Sequence, residues 1–153
     1  MSEPTREPTR ELLRCAAAFL DRGHTVDRLS RPLTAAALIG IVIYPAMTTK
    51  PQWILVGVVV VVAVAGLSEA YLAIRVGFDA ALFHQLASMP AASDFAGTDA
   101  ALTRLGLLPA AKLDRPAGPR VGGARRLFGF QIVALVLQIL SALIGGCLVL
   151  IWR

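Results

Sequence analysis

Charge is scarce in this chain. Charged side chains make up 16% of its 153 residues, with 10 acidic against 15 basic. Lysine occurs only at Lys50 and Lys112, so the net charge of +5 is carried almost wholly by arginine. A soluble domain ordinarily draws about a quarter of its residues from the charged set, and there is too little here to clothe a water-facing globule. Aromatics are also few, at 7%. The arginines flank apolar segments and are not interleaved with stacking rings, so a nucleic-acid surface is not expected.

Only two cysteines are present, Cys15 in the charged N-terminal region and Cys147 deep in the last apolar run. The topology argued below sets them on opposite sides of a membrane, which excludes an intrachain disulfide. Each reads as a small apolar filler. Asp21 and Asp27 flank His24, but no His-xxx-His, Cys-xx-Cys or Glu-xx-His ligand spacing occurs. A Gly-rich phosphate loop, a Gly-x-Ser-x-Gly elbow and paired carboxylates are missing as well. The expectation is a protein with no enzymatic activity, no cofactor and no metal.

What the chain has instead is apolar length. Hydrophobic residues reach 56% and the mean hydropathy is +0.67. Trp53–Leu67 and Val133–Ile151 contain no charged residue. A helix on the surface of a soluble protein needs a polar face, whereas a helix in lipid does not. The fold expected is all-α: a polytopic membrane protein in a single domain, with three transmembrane helices, an N-terminal amphipathic helix and a cytoplasmic loop.

The segments follow from punctuation. Residues 1–31 form a cytoplasmic N-terminal segment opening on a tandem Glu-Pro-Thr-Arg repeat, whose prolines favour extended chain. Thr9 is expected to cap an amphipathic helix ending at Gly23, with Leu12, Leu13, Ala16, Phe19 and Leu20 on one face. That face suits the headgroup region, a docking partner or the protein's own bundle. No secretion-signal cleavage pattern appears, so the first apolar run reads as an uncleaved anchor. The spans are 33–49, 53–74 and 127–152, the second continuing as a cytoplasmic helix to about residue 87. Residues 48–51 make a tight connection, Trp53 and Trp152 mark interfaces, and 88–124, rich in Pro and Gly, read as a cytoplasmic loop.

Orientation follows from the basic residues. Of the 15, only Lys50 and Arg153 fall outside the N-terminal segment and the 75–126 region, leaving 13 on one side. The positive-inside rule then puts the N-terminus in the cytoplasm and the C-terminus in the periplasm. The excess of Ala, Gly and Arg resembles coding from a GC-rich bacterial genome, so a bacterial inner membrane is expected.

Polar and small groups inside an apolar span are the first functional candidates. In the third span Gln131, Gln138 and Gly145 recur every seven residues, with Ser141, Ala142 and Gly146 alongside. This stripe reads as a helix-packing face, meeting either the first two spans or a partner. Ala36-xxx-Gly40 and Gly66-xxx-Ala70 offer matching small surfaces. Glu69, Arg75 and Asp79 form a second candidate set, a cytoplasmic polar cluster. Glu69 is placed near the headgroups, where it can reach water or pair with a basic residue, and Arg75 is spaced to pair with Asp79. The function expected is that of a non-enzymatic accessory, scaffold or regulatory subunit of a larger membrane assembly. Its partners would be lipid and another membrane protein or further copies of itself. A self-assembling pore and a small transporter or membrane enzyme using Glu69 are the alternatives.

Overall fold

The computed structural model describes residues 6–47, 52–89, 95–107, 113 and 115–151. Regular structure among them is entirely helical: α1 (Arg6–Leu20), α2 (Gly23–Met47), α3 (Trp53–Ser88), α4 (Ala96–Arg104) and α5 (Ala117–Ile151). The expected connection at 48–51 and the anchors Trp152 and Arg153 lie outside the described residues.

Several boundaries differ from the sequence reading, each for a local reason. The second Glu-Pro-Thr-Arg copy is helical, because Pro8 falls in the first turn of α1, where no backbone N–H is required. Gly23 opens α2 and does not close α1. The helix carrying the first apolar run therefore begins 10 residues before Leu33 and passes through Pro32. α4 starts at Ala96, inside the expected loop, with Phe95 in the N-cap position and no side-chain cap. Gly106 closes α4, with φ of +69°. Leu107 donates its N–H to the Leu102 carbonyl and Gly106 to that of Thr103, at 2.9 and 3.0 Å. This is the Schellman arrangement, whose left-handed residue favours glycine. α5 begins at Ala117, so residues 117–124, expected in the loop, are helix.

α3 and α5 are long and apolar enough to cross a membrane. α2 does not meet that measure: Asp27, Arg28 and Arg31 precede its apolar run Leu33–Met47. The three expected spans therefore reduce to two candidates among the described residues.

The chain folds as two compact units. One comprises the described residues of Met1–Asp21 and Val76–Arg126. In it Leu13, Ala16, Ala17 and Leu20 of α1 are buried, as are Ala80, Phe83, Leu86 and Ala87 of α3. Arg10 donates to the Met89 carbonyl at 2.9 Å, and His84 meets Asp21 at 2.9 Å. These pairs tie opposite ends of α1 to α3 and fix the two as antiparallel. The apolar face expected for α1 is thus divided: Leu12 and Phe19 remain 41% and 48% exposed while its other members pack within the unit.

The second unit comprises Arg22–Arg75 and the described part of Leu127–Arg153. It is a bundle of α2, the first half of α3 and most of α5. Buried or half-buried positions recur at alternating spacings of four and three: Gly23, Asp27, Ser30, Thr34 and Ala37 on α2; Val62, Gly66, Glu69 and Ala73 on α3; Gln131, Leu135, Gln138, Ala142 and Gly145 on α5. That rhythm is the seam of helices packed side by side. Contacts run from Gly23, Glu69 and Gln131 at one level through Thr34 and Gln138 to Val58 beside Gly145. α2 and α5 are therefore parallel and α3 runs against both.

Candidate functional site

The seam of the second unit is polar where most helix seams are apolar. Ser30, Glu69, Gln131 and Gln138 are each at most 1% exposed, and Asp27 and Ser141 are buried too. The outward positions are the reverse: Ile39, Val42, Val64, Val133, Leu140 and Leu143 stand open. Buried polar groups ordinarily find partners, and among the described residues the layers here supply them for all but two atoms, Glu69 Oε2 and Gln131 Oε1.

The lower layer joins three helices. The Gln131 Nε2 donates to Glu69 Oε1 at 2.8 Å and to the Gly23 carbonyl at 3.0 Å. Both partners are acceptors, which fixes the amide orientation. Glu69 Oε2 and Gln131 Oε1 are enclosed and have no hydrogen-bond partner among the described residues. Arg31 is within electrostatic reach of Glu69, but its ion pair is with Asp27 one turn earlier on α2. The bond to Asp27 and its charge raise the Arg31 guanidinium above its ordinary value.

The middle layer is closed. Ser30 Oγ donates to Gln138 Oε1 at 2.7 Å. The Gln138 Nε2 donates to Thr34 Oγ1 at 2.9 Å, and Thr34 Oγ1 donates back to the Ser30 carbonyl at 3.0 Å. Gly66 of α3 lies directly beneath. A Cβ at Gly66 would collide with Thr34 Oγ1 and Gln138 Nε2 and come within 2.9 Å of Thr34 Cβ. Only a residue without a side chain lets α3 approach this closely.

Above it the seam turns apolar. Ala37, Val62 and Ala63 pack with Val58, Val59 and Ala142. A Cβ on Gly145 would stand 3.0 Å from Val58 Cγ1, whereas one on Gly146 would meet nothing within 4 Å. Beside this layer is an apolar cleft of about 340 Å³ lined by Leu33, Ala36, Gly40, Tyr44, Val59 and Gly146 among others.

The stripe on α5 thus sorts by residue. Gln131, Gln138 and Ser141 are buried, Ala142 and Gly145 are half-buried against α3, and Gly146 is exposed. In the second candidate set Glu69 is enclosed and bonded to α5, Arg75 is exposed and Asp79 is half-buried. Ser30 and Thr34 were not singled out in the sequence, although their spacing of four sets them on one face of α2.

Another site went unread. In the first unit Arg120 makes a two-pronged ion pair with buried Asp99, at 2.8 and 2.6 Å. Its Nε donates to the Arg115 carbonyl at 2.8 Å, and its guanidinium lies 4.7 Å from the centre of the Phe95 ring. Asp99 and Arg120 are 21 residues apart on different helices, and no periodicity relates them. Among the described residues no group of three or more His, Cys, Asp or Glu side chains is placed to hold a metal.

These features define an all-helical protein with two helices of membrane-crossing length and a polar seam. No protein-family model matches the chain, and comparison with curated proteins and with solved structures finds no match either.

Proposed function

We propose that the chain is an integral protein of a bacterial inner membrane in which α2, α3 and α5 all cross the bilayer. Its N-terminus is cytoplasmic and its C-terminus periplasmic. In that membrane it serves as a non-enzymatic accessory, scaffold or regulatory subunit of a larger assembly. One observation carries the membrane part: Ser30, Glu69, Gln131 and Gln138 are buried in the seam while Ile39, Val42, Val64, Val133, Leu140 and Leu143 face outward, the inverse of a soluble bundle. Gln138 bonds Ser30 and Thr34, which gives α2 a place beside the two longer apolar helices. A short third span held by interhelical hydrogen bonds is a normal membrane arrangement, each bond contributing about 0.6 to 2 kcal/mol.

The accessory part is supported by where the polar groups are spent. Those of the seam bond to one another, which leaves the outer faces to aliphatic contact with lipid or with another membrane protein. A pore needs polar lining, and the buried glutamines do not face outward to supply it. Extraction from native membranes in mild detergent, followed by sizing and mass spectrometry, tests the proposal. A stoichiometric membrane partner is expected; a pure homo-oligomer that conducts ions in planar bilayers would overturn it.

The burial of Glu69 favours a second reading, a small transporter or membrane enzyme acting through that carboxyl. Full activity of a Glu69→Gln variant in cells would remove it.

A further inference from the structure

We infer that Glu69 and Gln131 form a proton-binding site, in which one proton from the aqueous phase sits on Glu69 Oε2 and is donated to Gln131 Oε1. The inference rests on the bundle geometry and is independent of the accessory reading.

The two head groups are already joined on one side, Gln131 Nε2 to Glu69 Oε1 at 2.8 Å. Each head group also has one enclosed oxygen, Glu69 Oε2 and Gln131 Oε1, without a partner among the described residues. Both are acceptors, so no rearrangement of the amide satisfies either: turning the Gln131 head would take its N–H from Oε1 and the Gly23 carbonyl. A single proton satisfies both. On Oε2 it converts an acceptor into a donor, and donated to Gln131 Oε1 it closes the eight-membered ring of a carboxylic acid paired with a primary amide.

The surroundings point the same way. A carboxylate enclosed in an apolar bundle needs an opposite charge in contact or else loses its charge. The cation in electrostatic reach is Arg31, which is bonded to Asp27 and has a side chain 73% exposed. His24, next to Gly23 on α2, is exposed, as are Tyr71 and Arg75 on α3. On α5, Arg126 precedes Gln131 by five residues, and Cys147 is exposed. Among the described residues no cation is bonded to Glu69, and a proton fits the two unpartnered oxygens. Because the same amide also holds the Gly23 carbonyl, proton occupancy bears on the start of α2 as well as on the α3–α5 contact.

Infrared spectroscopy of the full chain in phosphatidylcholine vesicles tests this directly. Glutamate occurs elsewhere only at Glu3, Glu7 and Glu11. The variant with those three changed to Gln, grown on ¹³C-carboxyl glutamate, leaves Glu69 as the single labelled acid without disturbing the bundle. At pH 7 the expected signal is a protonated carboxyl C=O band, downshifted in D₂O. In the same background Gln131→Leu should move that band to higher frequency, since its hydrogen bonds are lost. A carboxylate band alone at pH 7, with or without sodium, overturns the proton site. A C=O band unmoved by Gln131→Leu overturns the acid–amide pairing.

Discussion

At Gly66 one missing methyl decides how closely two helices meet. Gly66→Ala would place a carbon against Thr34 and Gln138, both held in the middle polar layer. Overpacking of this kind costs about 1–3 kcal/mol, so the variant should lose thermal stability in detergent. Gly146→Ala, where an added carbon meets nothing within 4 Å, should melt like the parent. Equal melting temperatures for the two would mean that α3 is not seated as described. Gln138→Leu probes the same layer from the other side. It leaves the Ser30 hydroxyl without its acceptor and Thr34 without its donor, at a cost of about 1–3 kcal/mol. A Ser30→Ala change added to it should cost less than the two single effects summed, because the partners are shared. A double-mutant cycle on unfolding midpoints reads this coupling.

At the scale of elements, the legible part of the sequence was the repeat on α5. A spacing of seven brings Gln131, Gln138 and Gly145 to one side of any helix, so that side was identifiable before its neighbours were known. What faced it was harder to read. The count from Trp53 that sets Glu69 near the headgroups gives its depth along α3 and says nothing about which neighbour covers it. Gly23 looked like a stop signal because glycine serves both ends of helices, and only the chain's path decides which. Asp99 and Arg120 carried no signal at all, since a short helix and the start of a long one come together only by folding. That pair gives the prediction for the first unit. Arg120→Met removes the two-pronged ion pair from the buried Asp99 carboxylate, with an expected loss of about 3–5 kcal/mol. Adding Asp99→Leu should restore most of it. Protease resistance of α4 and its flanks is the readout; a double variant as weak as the single would show that packing, not charge, holds α4.

For the whole molecule, the all-helical class and the two longest apolar helices follow from composition and run length, because both survive any detail of packing. The third span is a different matter. α2 is amphiphilic along its length: a polar start with Asp27, Arg28 and Arg31, then the apolar run from Leu33. Hydropathy averaged along the helix dilutes that run, whereas the bonds from Ser30 and Thr34 to Gln138 tie α2 to the seam. The account therefore depends on α2 crossing with α3 and α5. A phosphatase active only in the periplasm and a fluorescent protein that matures only in the cytoplasm, each fused in turn to either terminus, measure this directly. Three crossings predict fluorescence without phosphatase activity at the N-terminus and the reverse at the C-terminus. Both termini reporting the same compartment would contradict the three-helix membrane bundle, leaving α2 outside the bilayer and α3 and α5 as a two-span hairpin.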